Sequence, residues 1–198
     1  RKPAWIGPAL ITAYLALFAW VCVATTTVFG DRPLSAYLWA KEHPDSIRAT
    51  QNLAATNVMQ GQPLTAYELV SSFSDRRPRE VGLAVQSLQL ACVAGKAKEK
   101  LAMLKDWPDR LRSGELNAIV CDSFEKMAKM TMDGLCNGID DEDLHWVAAQ
   151  LRLNPRIVAA REVGYCLHDM QAMLYFNARD FEMTMEHLEA AFGYRKYW

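Results

Sequence analysis

The sequence predicts an all-α chain, with one N-terminal transmembrane helix followed by stacked antiparallel helix pairs. Three observations predict it. Pro3 to Gly30 contains no charged side chain. The remainder carries apolar residues at helical spacing, as in Leu116, Ile119, Val120, Phe124, Met127 and Met130. No segment shows the alternation or the β-branched richness of a strand.

The opening run sets the first element. A helix rises 1.5 Å per residue, so Trp5 to Phe29 crosses a hydrocarbon core of about 30 Å with tilt to spare. It is too long for a cleaved secretory signal, whose apolar stretch is about 7 to 15 residues. Val21 and Trp20 before Cys22 do not fit the small residue that precedes a lipidated cysteine. A buried core helix is the competing reading; the length and the aromatics Trp5, Trp20 and Phe29 towards the two edges favour a span. Pro8 falls in the first turns, where a missing amide costs least. Thr25, Thr26 and Thr27 can return their hydroxyls to backbone carbonyls. Basic residues flank both ends, Arg1 and Lys2 against Arg32, Lys41 and Arg48, so the positive-inside rule does not set the orientation. The chain opens on Arg rather than Met, which suggests a fragment or a processed product.

Residues 31–46 read as a linker with a short helix, and 47–198 as one helical domain with its own core. The net charge of −1, from 22 basic and 23 acidic side chains, offers no footprint for nucleic acid. Phosphate-binding glycine loops, G-x-S-x-G and H-E-x-x-H are all missing from the sequence, so no cofactor, metal or catalytic residue is expected. Cys92, Cys121, Cys136 and Cys166 lie beyond the apolar run. They allow two disulfides in three connectivities, or four buried thiols, and no C-x-x-C spacing suggests zinc.

Two landmarks recur at one period: Pro44 to Pro78 and Gly61 to Gly95 are each 34 residues apart. Between them lie Leu53 and Ala54 on a first helix, Gly61 at a turn, Ala66 on a second helix and Pro78 closing the stretch. In these residues the chain resembles the tetratricopeptide repeat family, whose repeat is a helix–turn–helix of that length. The resemblance implies a degenerate α-solenoid. Residues 47–80 form its first repeat, with Asn57 in place of the usual aromatic and Phe73 where a small residue is expected. The next begins near Val81, with Leu88, Ala91 and Gly95, and fades by Trp107-Pro108. The last runs from about Tyr165, with Ala172, Tyr175, Leu188, Ala191 and Phe192, Arg179 at the turn glycine and Thr184 at the helix crossing. Arg179 must then adopt a left-handed turn that disfavours a Cβ. Ser113 to Asp133 and Asp140 to Leu153 form a middle pair without the motif.

Several clusters invite chemical readings. Asp140-Asp141-Glu142-Asp143 resembles a metal site, but a calcium loop started at Asp133 places Leu135 and Leu144 at ligand positions. Helix capping by Asp140 or Asp141 fits better. His43, His145, His168 and His187 are scattered along the sequence, and His168 reads as a packed, hydrogen-bonded residue. Met127, Met130, Met132, Met170, Met173, Met183 and Met185 read as core filling. The tail Tyr194-Arg195-Lys196-Tyr197-Trp198 is either an aromatic docking cluster or a frayed end.

The resemblance also implies a concave groove. Its lining residues would be Arg48, Gln51, Ala55, Val58 and Met59 in the first repeat, and Cys166, Asp169, Met173, Phe176 and Asn177 in the last. Such a groove is mostly uncharged, which argues against a clamp for a peptide carboxylate. The expected function is a membrane-anchored module that binds or scaffolds a protein or peptide partner at the bilayer surface, with its domain on the periplasmic or extracytoplasmic side. It could also serve as a subunit of a larger membrane complex. The order of span, linker and degenerate repeats also resembles the C-terminal part of bacterial polytopic glycan polymerases and membrane glycosyltransferases, which would place the chemistry in other spans.

Overall fold

The structure, a computed structural model, describes residues 6–195. Readings placed on Arg1, Lys2, Trp5 and the tail residues Lys196, Tyr197 and Trp198 lie outside the described residues. The chain divides into two compact units, Arg1–Gln60 and Gly61–Trp198. Among the described residues there is no strand, and the two extended segments that meet do so through a single bridge between Glu80 and Glu115.

Among the described residues the first unit holds three helices. Helix α1 (Ile6–Gly30) is 25 residues long, about 37 Å, and is apolar enough to cross a membrane. None of its apolar stretch is buried by the rest of the protein. The Thr25, Thr26 and Thr27 hydroxyls donate to carbonyls one turn back, at Val21, Cys22 and Val23, which hides their polarity within the helix. Asp31 ends this run and starts the next, its carboxylate accepting from Leu34 N at 3.0 Å. Most of the linker segment is therefore helix α2 (Arg32–Glu42), with Pro33 in its first turn. Ser46 caps α3 (Ile47–Met59). Helices α2 and α3 pack together, with Ala36 and Ala49 fully buried.

The second unit begins at Gly61, which takes φ 73°. Its helices are α4 (Pro63–Arg76), α5 (Val81–Ala94), α6 (Ala97–Asp106), the single turn α7 (Asp109–Arg112), α8 (Ala118–Met132), α9 (Asp141–Arg152), α10 (Arg161–Asn177) and α11 (Phe181–Arg195), with a 3₁₀ turn at Pro155–Val158. Helix α5 is the most apolar and forms the centre. It packs against α4, α6 and α8, and Val81, Leu83, Ala84, Val85, Leu88 and Ala91 are completely buried. One core runs from these residues through Phe124 and Met127 of α8, Leu144 and Leu151 of α9, and Leu167 and Leu174 of α10. Asn154 fastens the middle of this core. It is fully buried, its amide donates to the Leu111 and Gly114 carbonyls at 3.1 and 2.9 Å, and its oxygen accepts from Arg156 N.

A charged network links α4 to α6 and α7, its two cations buried and its carboxylate half-exposed. Lys100 and Arg110 are 1% and 7% exposed. Arg110 donates to Asp75 at 2.9 Å and to Ser74 Oγ at 2.7 Å, while Lys100 Nζ donates to Ser71 Oγ at 2.8 Å and stands 3.8 Å from Asp75. Burial pushes the Lys100 ammonium below its usual range. Asp75 opposes that shift and Arg110 adds to it.

The repeat landmarks mark genuine turns. Gly95 takes φ 71° after α5, and Arg179 takes φ 61° between α10 and α11, the left-handed turn required of it by the sequence. The packing differs from the simple repeat register. α3 pairs with α2 inside the first unit, α4 pairs with α5, and the boundary between units falls within residues 47–80. Arg179 carries a Cβ in a conformation that glycine adopts freely. Arg179→Gly is therefore expected to raise stability by about 0.5–1 kcal/mol in urea unfolding.

Candidate functional site

The sites expected from the sequence are distributed over both units. Arg48, Gln51, Ala55, Val58 and Met59 all lie on α3 in the first unit, with Arg48, Ala55 and Met59 exposed and Gln51 and Val58 half-buried. Asp169, Met173, Phe176 and Asn177 lie on α10 in the second. Met173, Phe176 and Asn177 are exposed there and Asp169 is half-buried. Cys166, assigned to the same groove, is buried instead and bonded to Cys121.

The four cysteines form two bridges, Cys92–Cys136 and Cys121–Cys166, with Cα atoms 4.6 and 5.8 Å apart. The first ties α5 to the loop before α9, and the second ties α8 to α10. A cavity of about 560 Å³ lies over the second bridge, bordered by Glu125, Glu162, Tyr165, Asp169 and Met170. Among the described residues, no three His, Cys, Asp or Glu side chains are placed to hold a metal ion. Asp140 caps α9, accepting from Asp143 N at 2.9 Å, while the Asp143 carboxylate accepts from Asp140 N and from Lys105 Nζ. The acidic run thus serves as a capping box and an anchor for α6.

Three histidines that are far apart in sequence come together. His145 of α9 stacks on Tyr175 of α10 at 4.1 Å, and Tyr175 stacks on His187 of α11 at 5.3 Å. His187 Nδ1 lies 2.9 Å from His168 Nδ1, and Tyr194 closes the row 5.7 Å from His168. A His–His hydrogen bond needs one ring nitrogen to donate and the other to accept, so at least one of the two rings is neutral. Burial lowers the pKa of all three imidazoles, and the Arg152 charge adds to it. His168 falls to about 4, and the neighbouring His187 contributes there as well. Asp141 acts in the opposite direction on His145, and Glu186 on His187.

These depressed values carry a sign. The unfolded chain takes up protons near pH 6.5, before the folded one does. The stabilisation is thus complete above about 6.5 and is lost as pH falls towards about 4. Partial exposure of His168 screens the effect to about 1–2 kcal/mol. Thermal melts of the wild type should drop across that window, and His168→Asn should flatten the dependence.

Helix α11 has an inverted pattern. The face it turns to α10 consists of Thr184, His187 and Ala191, all buried, with the Tyr194 ring lying over Gly164. Its large apolar residues point elsewhere: Phe181, Met185 and Phe192 are 61%, 56% and 63% exposed. Phe181 meets Phe176 edge-on at 5.9 Å, joining this stripe to the exposed end of α10. Met173 and Met185 are therefore surface residues, unlike Met127 and Met170, which fill the core as expected. For Met185 the cause is simple: α11 buries its small face against α10, and among the described residues no element covers its bulky one.

These features define an all-helical protein with, among the described residues, one helix long and apolar enough to cross a membrane, and a helical unit braced by two disulfides. No family model, curated protein or solved structure matches the chain.

Proposed function

We propose that the chain is a membrane-anchored helical module that binds a protein or peptide partner at the bilayer surface and has no chemistry of its own. The observation that carries this reading is the uncovered apolar face formed by Phe176 of α10 with Phe181, Met185 and Phe192 of α11. Bulky apolar side chains grouped on a surface mark interaction sites rather than scattered exposure. Phe176, named from the repeat register, belongs to this face, and Met173 and Asn177 are exposed on the same helix. Left-handed turns at Gly95 and Arg179 between consecutive helices support a divergent tetratricopeptide-like solenoid as its scaffold.

The length and apolarity of helix α1 support the anchor, and the two bridges support the side. Disulfides persist in oxidising compartments and are rare where thiols are kept reduced, so the bridged unit is assigned to the extracytoplasmic face. A photo-cross-linking residue at Phe176, in the full chain in native membranes, tests the module reading. The expected result is one adduct of discrete mass, missing when the probe is placed at Asp122 on the exposed side of α8. Identical labelling at the two positions, or none at either, would contradict it.

A further inference from the structure

The stripe on α11 has both a spacing and a charged border. Phe181, Met185, Leu188 and Phe192 follow one another at i, i+4, i+7 and i+11, the seam along which one helix packs on another. Leu188 is half-buried and the other three are exposed. One residue after each of the first three comes a glutamate, at positions 182, 186 and 189, so a row of carboxylates runs beside the apolar seam on the same helix. Among the described residues no ion pair engages these three glutamates. The seam offers about three turns of contact, enough to seat a helix rather than an isolated side chain.

The charge row selects the occupant. An anionic bilayer surface would set lipid phosphates against three carboxylates, which repel rather than steer. A second copy brings the same row; packed antiparallel through the seam, it opposes glutamate to glutamate. A helix with an apolar stripe bordered by Lys or Arg matches both the seam and the row.

From this we infer that the outer face of α11 is the docking site for a basic amphipathic helix of a partner protein. The inference rests on the reading of the chain as an interaction module and identifies the face and the partner's chemistry. Apolar residues at four positions supply the contact, and the glutamates set the polarity of the partner and accelerate its approach.

The test uses the full chain in nanodiscs of zwitterionic phosphatidylcholine, which does not itself attract a cationic peptide. Two synthetic helices of about 18 residues share a leucine stripe at i, i+4, i+7 and i+11; one is bordered by lysines and the other by glutamates. The lysine peptide is expected to bind at least about tenfold more tightly than the glutamate peptide. Met185→Asp should weaken lysine-peptide binding about tenfold or more, although it adds a negative charge. Glu182→Lys with Glu189→Lys should invert the preference. All three positions are exposed, so the variants keep the fold, which circular dichroism checks.

Unchanged or tighter lysine-peptide binding by Met185→Asp would reduce the interaction to charge alone and overturn the inference. So would wild-type self-association that Met185→Asp abolishes, because a second copy would then be the occupant. A discrete adduct at Phe176 alongside either outcome would leave the module reading standing and remove only this assignment.

Discussion

Replacing Cys121 and Cys166 together by serine is expected to lower the unfolding free energy by about 4 kcal/mol. The bridge joins residues 45 apart in sequence, and closing a loop of that size removes roughly this much entropy from the unfolded chain. Cys92–Cys136 closes a loop of similar size, at a separation of 44, and should cost about as much when removed. The two loops interleave, since Cys121 lies between Cys92 and Cys136, so each bridge restrains chain that the other leaves free. Urea unfolding of the oxidised wild type against the double-serine variant, followed by far-ultraviolet circular dichroism, measures the difference. A loss below about 1 kcal/mol would mean that the bridge contributes little to the unit.

Asp75→Asn is expected to cost about 2–4 kcal/mol, because Lys100 and Arg110 would then keep their buried charges without a counter-ion. The partial exposure of Asp75 keeps the figure below that of a fully enclosed pair. Lys100→Met is expected to have the opposite character. It removes a charge whose burial already lowers its pKa, and should leave stability unchanged or slightly raised. The contrast between the two variants separates a network that holds the fold from one that is merely tolerated. Equal losses from both would show that Lys100 contributes through its own bond to Ser71.

The sequence and the structure agree most closely where a single helix carries its own signal. The uncharged run at the N-terminus is α1, Asp140 caps α9, and the glycines of the 34-residue period sit in left-handed turns. Each is a local property, set by composition or by the conformational freedom of one residue. Pairing is not local. Gly61 looks the same whether it turns between two helices of one repeat or separates two units, and here it opens the second unit while α3 packs with α2.

The surface positions on α10 were partly legible for the same reason. Met173, Phe176 and Asn177 follow from repeat register and are exposed on α10. The stripe on α11 was not singled out from the sequence: its residues have helical spacing, but spacing alone does not distinguish a buried face from an exposed one. α11 buries Thr184, His187 and Ala191, so its bulky residues look like core in the sequence and lie on the surface in the fold. The histidine row had no sequence signal, because His145, His168 and His187 come from three helices and meet only once those helices stack.

The central claim is a bridged, partner-binding unit held by α1 on the oxidising side of a membrane. Labelling intact, right-side-out vesicles with a membrane-impermeant maleimide, before and after reduction, tests it most directly. The expected result is that, in urea that opens the unit and leaves the vesicles sealed, Cys92, Cys121, Cys136 and Cys166 resist labelling before reduction and all react from outside afterwards, without permeabilisation. Labelling of all four in the same urea without any reductant, and only once the membrane is permeabilised, would contradict both the bridges and the side assigned to the unit.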